Sequence, residues 1–173
     1  VSNVLFLNAD IFDNPIEDNF FDCVWCSGVL HHTKDSREGF EIISKWVKPN
    51  GLIIIGVYNS IGRLRTNFRQ VIYNLLGRSR FARKLVSLID PYLRKNLSED
   101  KEVAWFRDQY EHPVERKHTL DEVINWFDQN GIDFMGSIPS PNFDFKKIKE
   151  MEGRRGTYFQ RVCAQLSMLF SNL

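Results

Sequence analysis

The sequence predicts an α/β fold, a mostly parallel sheet with an inserted helical cap, and three observations carry that reading. Phe20 to Leu30 is a near-continuous apolar run, an amphipathic segment follows, and Leu52 to Val57 is a second apolar run. Together they read as strand, helix, strand. Apolar residues on both faces of each strand suit a parallel sheet buried under helices and joined by a right-handed crossover. After Asn59 the pattern changes to helical stripes, and a capping-box signal at Thr119 returns the chain to helix and then strand.

Taken in order, Val4 to Leu7 reads as a short strand. Asn8 to Asn19 is a loop in which Asp10, Asp13, Asn14, Pro15, Asp18 and Asn19 supply turn chemistry. Asp22 to Gly28 is the second strand. Asp35 or Ser36 caps a helix to about Val47, with Phe40, Ile43, Trp46 and Val47 on one face, and Pro49-Asn50-Gly51 stops it before the strand Leu52 to Val57. Leu64, Phe68, Val71, Ile72, Leu75 and Leu76 then form an apolar helical stripe, and beyond Gly77 a second stripe runs through Phe81, Leu85, Leu88 and Ile89 to Pro91. Asn96 to Glu115 mixes polar residues with Trp105, Phe106 and Tyr110 and is expected to include another short helix.

The box Thr119-Leu120-Asp121-Glu122 places the Thr119 hydroxyl for the third helical amide, with Glu122 reaching back. Val123, Ile124, Trp126 and Phe127 give that helix a broad apolar face, Asn130-Gly131 ends it, and Ile132 to Ile138 reads as a fourth strand. Pro139 to Gly156 is loop-like and charged. Tyr158 to Leu173 has the spacing of a helix that buries Phe159, Val162, Cys163, Leu166, Leu169 and Phe170. Residues 1–60 and 117–173 are thus expected to build one domain, with 61–116 as the inserted cap.

A chain of 173 residues, 43% hydrophobic, fits a single globular domain large enough to bury a core, so disorder is not expected. No apolar run approaches the ~20 residues needed to cross a bilayer, and no leader pattern opens the chain, so a cytoplasmic protein is expected. Cys23, Cys26 and Cys163 do not make a disulfide framework. Cys23 and Cys26 lie three apart on a strand and face opposite ways, so they cannot share a metal. The net charge of +1 points to no partner, and no nucleic acid is expected. Its distribution is uneven. Between Glu41 and Asp90 there is no acidic residue, while Lys45, Lys48, Arg63, Arg65, Arg69, Arg78, Arg80, Arg83 and Lys84 fall inside that gap. The plain reading is a solvated outer face of the cap helices. The alternative is a non-catalytic module whose basic cap docks on an anionic surface in a salt-sensitive way.

Open parallel sheets hold ligands beyond the carboxyl ends of their strands, here Ser27 to Thr33 and Tyr58 to Arg63. His31 and His32 sit there and are candidate general bases, since an imidazole titrates near neutral pH. Asp10 follows the first strand, so its carboxylate lies on the same rim and can accept from an exocyclic amine such as that of adenine. His112, Glu115 and His118 flank Pro113, so no helix face aligns them for a metal, and they read as loop or lid contacts. A nucleotide-binding oxidoreductase or epimerase would suit the same sheet, but no predicted helix carries a Tyr-x-x-x-Lys pair.

Asn8-Ala9-Asp10-Ile11 after a strand, Phe20-Phe21-Asp22-Cys23-Val24, Ser27-Gly28-Val29-Leu30-His31-His32, and Val47-Lys48-Pro49-Asn50-Gly51-Leu52 before the next strand resemble the class I S-adenosylmethionine-dependent methyltransferases of the small-molecule type. Asp108 to Pro113, through Ser137-Ile138-Pro139, looks like the inserted cap and closing helix-strand segment of a bacterial branch of that family. The resemblance implies a partial Rossmann-like methyltransferase sheet and methyl transfer from S-adenosylmethionine to a small-molecule substrate. By it, Asp10 and Ile11 would border the adenine, and Ser27, Gly28 and Val29 would line the methionine and sulfonium side. His31 and His32 would face the transfer site as catalytic residues, with Tyr58, Asn59 and Arg63 towards the substrate. The family's glycine-rich cofactor loop, its ribose-binding acidic residue and its final antiparallel strand have no match in the chain. The resemblance therefore implies an internal piece of such an enzyme, in which the strand Val4 to Leu7 lacks its neighbours. That piece is expected to be inactive alone and to bind the cofactor weakly or not at all.

Overall fold

A computed structural model of the chain describes residues 3–94, 98–138 and 155–170. Its centre is a parallel pair of strands, β1 (Phe21–Ser27) and β2 (Val47–Gly56), joined through helix α1 (Ser36–Lys45). The strands run in step from Cys23 opposite Leu52 to Ser27 opposite Gly56. At the other end Phe21 pairs with Val47, so the turn Lys48 to Gly51 bulges out of β2 with Asn50 left-handed at φ 64°. The expected helix stop at Pro49-Asn50-Gly51 is therefore a bulge at the start of the strand. Asp35 opens α1, its carboxylate accepting from the Arg37 and Glu38 amides at 2.9 and 3.0 Å.

Helix α1 buries Phe40 and Ile43 against Val24 and Cys26 of β1. The same cluster takes in Val123, Ile124, Trp126 and Phe127 of helix α5 (Leu120–Gln129), with Phe40 stacked on Phe127 at 5.3 Å between ring centroids. The intervening segment holds helices α2 (Leu64–Leu75), α3 (Arg80–Ile89) and α4 (Glu99–Phe106), the last continued by a π-helical turn, Arg107–Glu111. These build a second, smaller cluster from Tyr73, Ala82, Val86, Phe106 and Tyr110. Helix α6 (Tyr158–Ser167) packs on α5 and opens with a full capping box, the Thr157 hydroxyl accepting from Gln160 N and the Gln160 side chain from Thr157 N.

The mixed helix and strand architecture with its parallel pair is that of a partial Rossmann-like α/β fold, yet several elements depart from expectation. Val4 to Leu7 is not a strand. Leu5 and Phe6 are each 92% exposed, because no described strand lies beside them to complete a ladder. Ile132 to Ile138 is not a strand either, although Phe134 reaches the core. It lines a groove of about 1180 Å³ beside β2 and pairs with no strand among the described residues. Only one sheet face is covered by the described residues, since Val24 and Cys26 are buried while Trp25 between them is 72% exposed. The three cysteines are free, with Cys23 exposed and Cys26 buried as the alternation on β1 requires.

The amphipathic helices α2 and α6 turn the opposite way from the one their patterns suggest. Leu64, Phe68, Val71 and Leu75 of α2 face solvent, and so do Phe159, Cys163 and Leu166 of α6, while Tyr73 and Gln165 are buried. Glu122 does not close the capping box at Thr119. Its carboxylate pairs with His118 Nδ1 at 2.8 Å, while the Thr119 hydroxyl accepts from Glu122 N and Gln165 Oε1 accepts from Leu120 N at 2.9 Å. The loop expected over Pro139 to Gly156 lies almost wholly outside the described residues, as do the last three residues of the chain. No described helix is long and apolar enough to cross a membrane.

Candidate functional site

The carboxyl ends of β1 and β2 are held side by side by one strap of chain. His31 O accepts from Arg116 N at 2.8 Å, and Tyr58 O accepts from His118 N at 2.9 Å, so residues 114–118 tie both strand ends together. Between them is a cavity of about 200 Å³ lined by Ser27, Gly28, His31, Gly56, Val57 and Tyr58. Gly28 sits at φ 79°, a left-handed conformation that suits glycine, and a Cβ there would meet open space. Gly56 is the reverse. A Cβ on it would overlap the Ser27 hydroxyl and lie 3.1 Å from the Ser27 Cβ. Gly56→Ala is therefore expected to push β1 and β2 apart at this end and to lower stability by about 1–3 kcal/mol, read as a lower urea midpoint.

His31 is 2% exposed, and neither ring nitrogen has a partner among the described residues. Burial, helped by the neighbouring His32, holds its pKa down at about 4, against the opposing pull of Asp108 and Glu115. It is neutral at pH 7. Its ring lies 3.8 Å from that of Tyr58. The Tyr58 hydroxyl donates to Asp108 Oδ2 at 3.0 Å and accepts from Gln109 Nε2 at 3.0 Å. Burial, with Asp108 adding to it and Arg63 opposing, pushes that phenol up to about 12, so it stays protonated.

His32 is held by partners on both ring nitrogens. Its Nδ1 lies 2.9 Å from Val114 O, and a carbonyl can only accept, so Nδ1 carries the hydrogen. Nε2 lies 3.6 Å from Asp108 Oδ1. The His112 ring covers His32 at 3.8 Å. Asp108 reaches this place from the π-helical turn, whose wider winding turns Gln109 and Tyr110 inward while Asp108 stays half-buried.

The other expected residues fall around this centre in different ways. Val29 stands on its rim, 42% exposed. Asp10 is exposed and caps a short 3₁₀ turn, its Oδ1 accepting from Phe12 N at 3.0 Å, while Ile11 packs on the core. That turn comes alongside Leu30 to Lys34, the Lys34 ammonium standing 4.1 Å from the Phe12 ring centre. Asn59 holds the next turn, Oδ1 accepting from Ile61 N and Gly62 N and Nδ2 donating to Gln165 Oε1. Arg63 is buried, its guanidinium 4.0 Å from the Tyr58 ring centre, hydrogen-bonded to Gln109 and paired with Glu115, Nη2 to Oε2 at 2.6 Å. Burial pushes the Glu115 carboxyl up, but Arg63 and Lys117 outweigh it and hold the pKa below the usual range.

Asp108 and Gln109 are the site residues that the motif and spacing reading did not single out. Their signal in the sequence is faint, an acid and an amide in a polar stretch that spacing alone would leave in solvent. His112, Glu115 and His118 are brought to one strap but bind separate partners. No group of three or more metal-ligating side chains gathers among the described residues.

Residues 1–55 match the methyltransferase domain family. Over 147 residues the chain is 28% identical to an uncharacterized protein of Synechococcus sp., an alignment covering 76% of this chain and 35% of that protein. The chain thus spans about a third of the length of that curated relative. The matched segment contains the whole β1 and α1, nearly all of β2, and the turn from Ser27 to His32 on which the cavity is built. Residues 1–55 are thus similar to part of a methyltransferase domain, in keeping with the class I S-adenosylmethionine-dependent methyltransferases that the sequence resembles.

Proposed function

We propose that the cavity at the ends of β1 and β2 is one wall of a site for methyl transfer from S-adenosylmethionine to a small-molecule acceptor. The observation that carries this reading is the unmet hydrogen-bonding capacity of His31, buried beside the open backbone of Gly28, at the strand ends where sheets of this kind take ligands. The residues present fit one side of the cofactor. Ser27, Gly28 and Val29 would border its methionine and sulfonium end, and Asp10 and Ile11 its adenine. When bound, S-adenosylmethionine supplies an electrophilic methyl group on a sulfonium, so the protein has mainly to align the acceptor and take up its proton.

His32 suits the second task. Its Nε2 lone pair accepts the proton, and Asp108 at 3.6 Å holds the imidazolium that results. Tyr58, fixed between Asp108 and Gln109, and Arg63 above its ring set the position of this pair. The π-helical turn of the inserted segment brings Asp108 to the Tyr58 hydroxyl at the strand ends, and Ser27, Gly28, His31, Gly56, Val57 and Tyr58 form the floor.

The test is calorimetric titration of the full-length protein with S-adenosylmethionine, alongside methyl-transfer rates for His32→Gln and Asp108→Asn. The expected result is binding in both variants with turnover reduced on the order of 10²-fold. Unchanged turnover in both variants would remove His32 as the base, and absence of binding by the unaltered protein would remove the cofactor assignment.

A further inference from the structure

We propose that the outer faces of α2 and α3 form a docking surface for an anionic lipid bilayer. On α2, Leu64, Phe68, Val71 and Leu75 recur at four- and three-residue steps on one face, and all are more than half exposed. Tyr73, on the opposite face, is buried. Helix α3 repeats the arrangement, with Ala82 and Val86 buried in the same small core as Tyr73 while Phe81 and Leu88 are 68% and 61% exposed. A helix in a soluble domain ordinarily buries its apolar stripe, and these two leave one exposed.

The charges make the occupant specific. The acid-free gap leaves no carboxylate on either helix, and the cations there divide into two sets. Arg63 and Arg69 are turned inward to Glu115 and Asp90, at 2.6 and 3.3 Å, and Arg83 lies over the Phe106 ring. Arg65, Arg78, Arg80 and Lys84 remain at the surface beside the apolar ridges, with no acidic partner among the described residues. Apolar side chains bordered by uncompensated cations match an anionic interface, where rings and aliphatic chains enter the acyl boundary and guanidinium groups meet phosphate. A second copy of this chain would set like charges against each other. Nucleic acid would leave the apolar ridges without a role.

The experiment is cosedimentation of the protein with vesicles of phosphatidylcholine alone and of phosphatidylcholine mixed with phosphatidylglycerol, at low and high salt. Binding is expected on the mixed vesicles and weakened by salt. Arg80→Gln with Lys84→Gln should weaken it about fivefold for each charge removed, and Phe68→Ser with Leu75→Ser should weaken it at least tenfold at either salt. All four positions are exposed, and circular dichroism confirms that each variant remains folded. Failure to bind mixed vesicles overturns the proposal. So does binding indifferent to the two apolar changes, or a concentration-dependent dimer abolished by Phe68→Ser, or tighter association with duplex DNA than with vesicles. None of these outcomes depends on methyl transfer.

Discussion

Replacing Glu115 by leucine is expected to lower the unfolding free energy by about 3–5 kcal/mol, because it leaves the buried Arg63 guanidinium without its counter-charge. The two side chains are 9% and 8% exposed and meet through two hydrogen bonds, Nη2 to Oε2 at 2.6 Å and Nε to Oε1 at 3.3 Å. The depressed pKa of Glu115 means that the carboxylate is charged in the folded state, so the pair is ionic. A buried ion pair is worth far less as a whole than the loss from breaking it, since desolvation of both partners offsets most of their attraction. The double variant Arg63→Met with Glu115→Leu should therefore recover most of the loss, leaving the cost of an unpaired Gln109 Oε1 and of Lys117 without its carboxylate partner. Urea denaturation of the two variants checks this. A single variant that loses less than about 1 kcal/mol would place the pair in solvent instead.

The second large effect is a loss of stability in mild acid that belongs to His31. Its folded pKa of about 4 lies below the ordinary histidine value of 6.5, so the unfolded chain binds the proton more readily. The contribution of the neutral buried ring is complete above about pH 6.5, is lost progressively as the pH falls towards 4, and is constant below that. Between pH 7 and pH 4.5 this amounts to about 2–3 kcal/mol. The carboxylates with lowered pKa values, Asp35, Asp90 and Glu115, act below their ordinary range and so at the lower edge of this window. His31→Asn should be less stable at pH 7 but should show a much flatter profile from pH 7 to 5. An NMR titration placing the His31 ring near its ordinary value would contradict this.

The strand, helix, strand unit was legible because its signals are local. The alternation at Cys23 to Cys26, the Asp35 cap and the apolar run to Val57 each depend on residues a few positions apart. What was not legible depends on what lies opposite. The pattern of α2 identifies two faces but not which is covered, and the polar face wins because Gln70 donates to Gln109 O at 2.8 Å and Tyr73 to Glu111 at 2.8 Å. Val4 to Leu7 and Ile132 to Ile138 have strand composition, yet a strand is a property of a pair, and the described residues provide no partner. At the site, the strand-end rule located Ser27 to His32 and Tyr58. Asp108 could not be matched to His32 by spacing, since their meeting depends on the π-helical turn and on the strap from His112 to His118.

The central claim is that ligand enters at the ends of β1 and β2 rather than along the free edge of β2. Amide NMR of the full-length protein titrated with S-adenosylmethionine tests it directly. The expected result is a set of shifts concentrated at Gly28 to His31, Ile11 and Tyr58. Saturation that moves only Leu52 to Ile55 and Ile132 to Ile138, while Gly28 and Val29 stay in place, would contradict it.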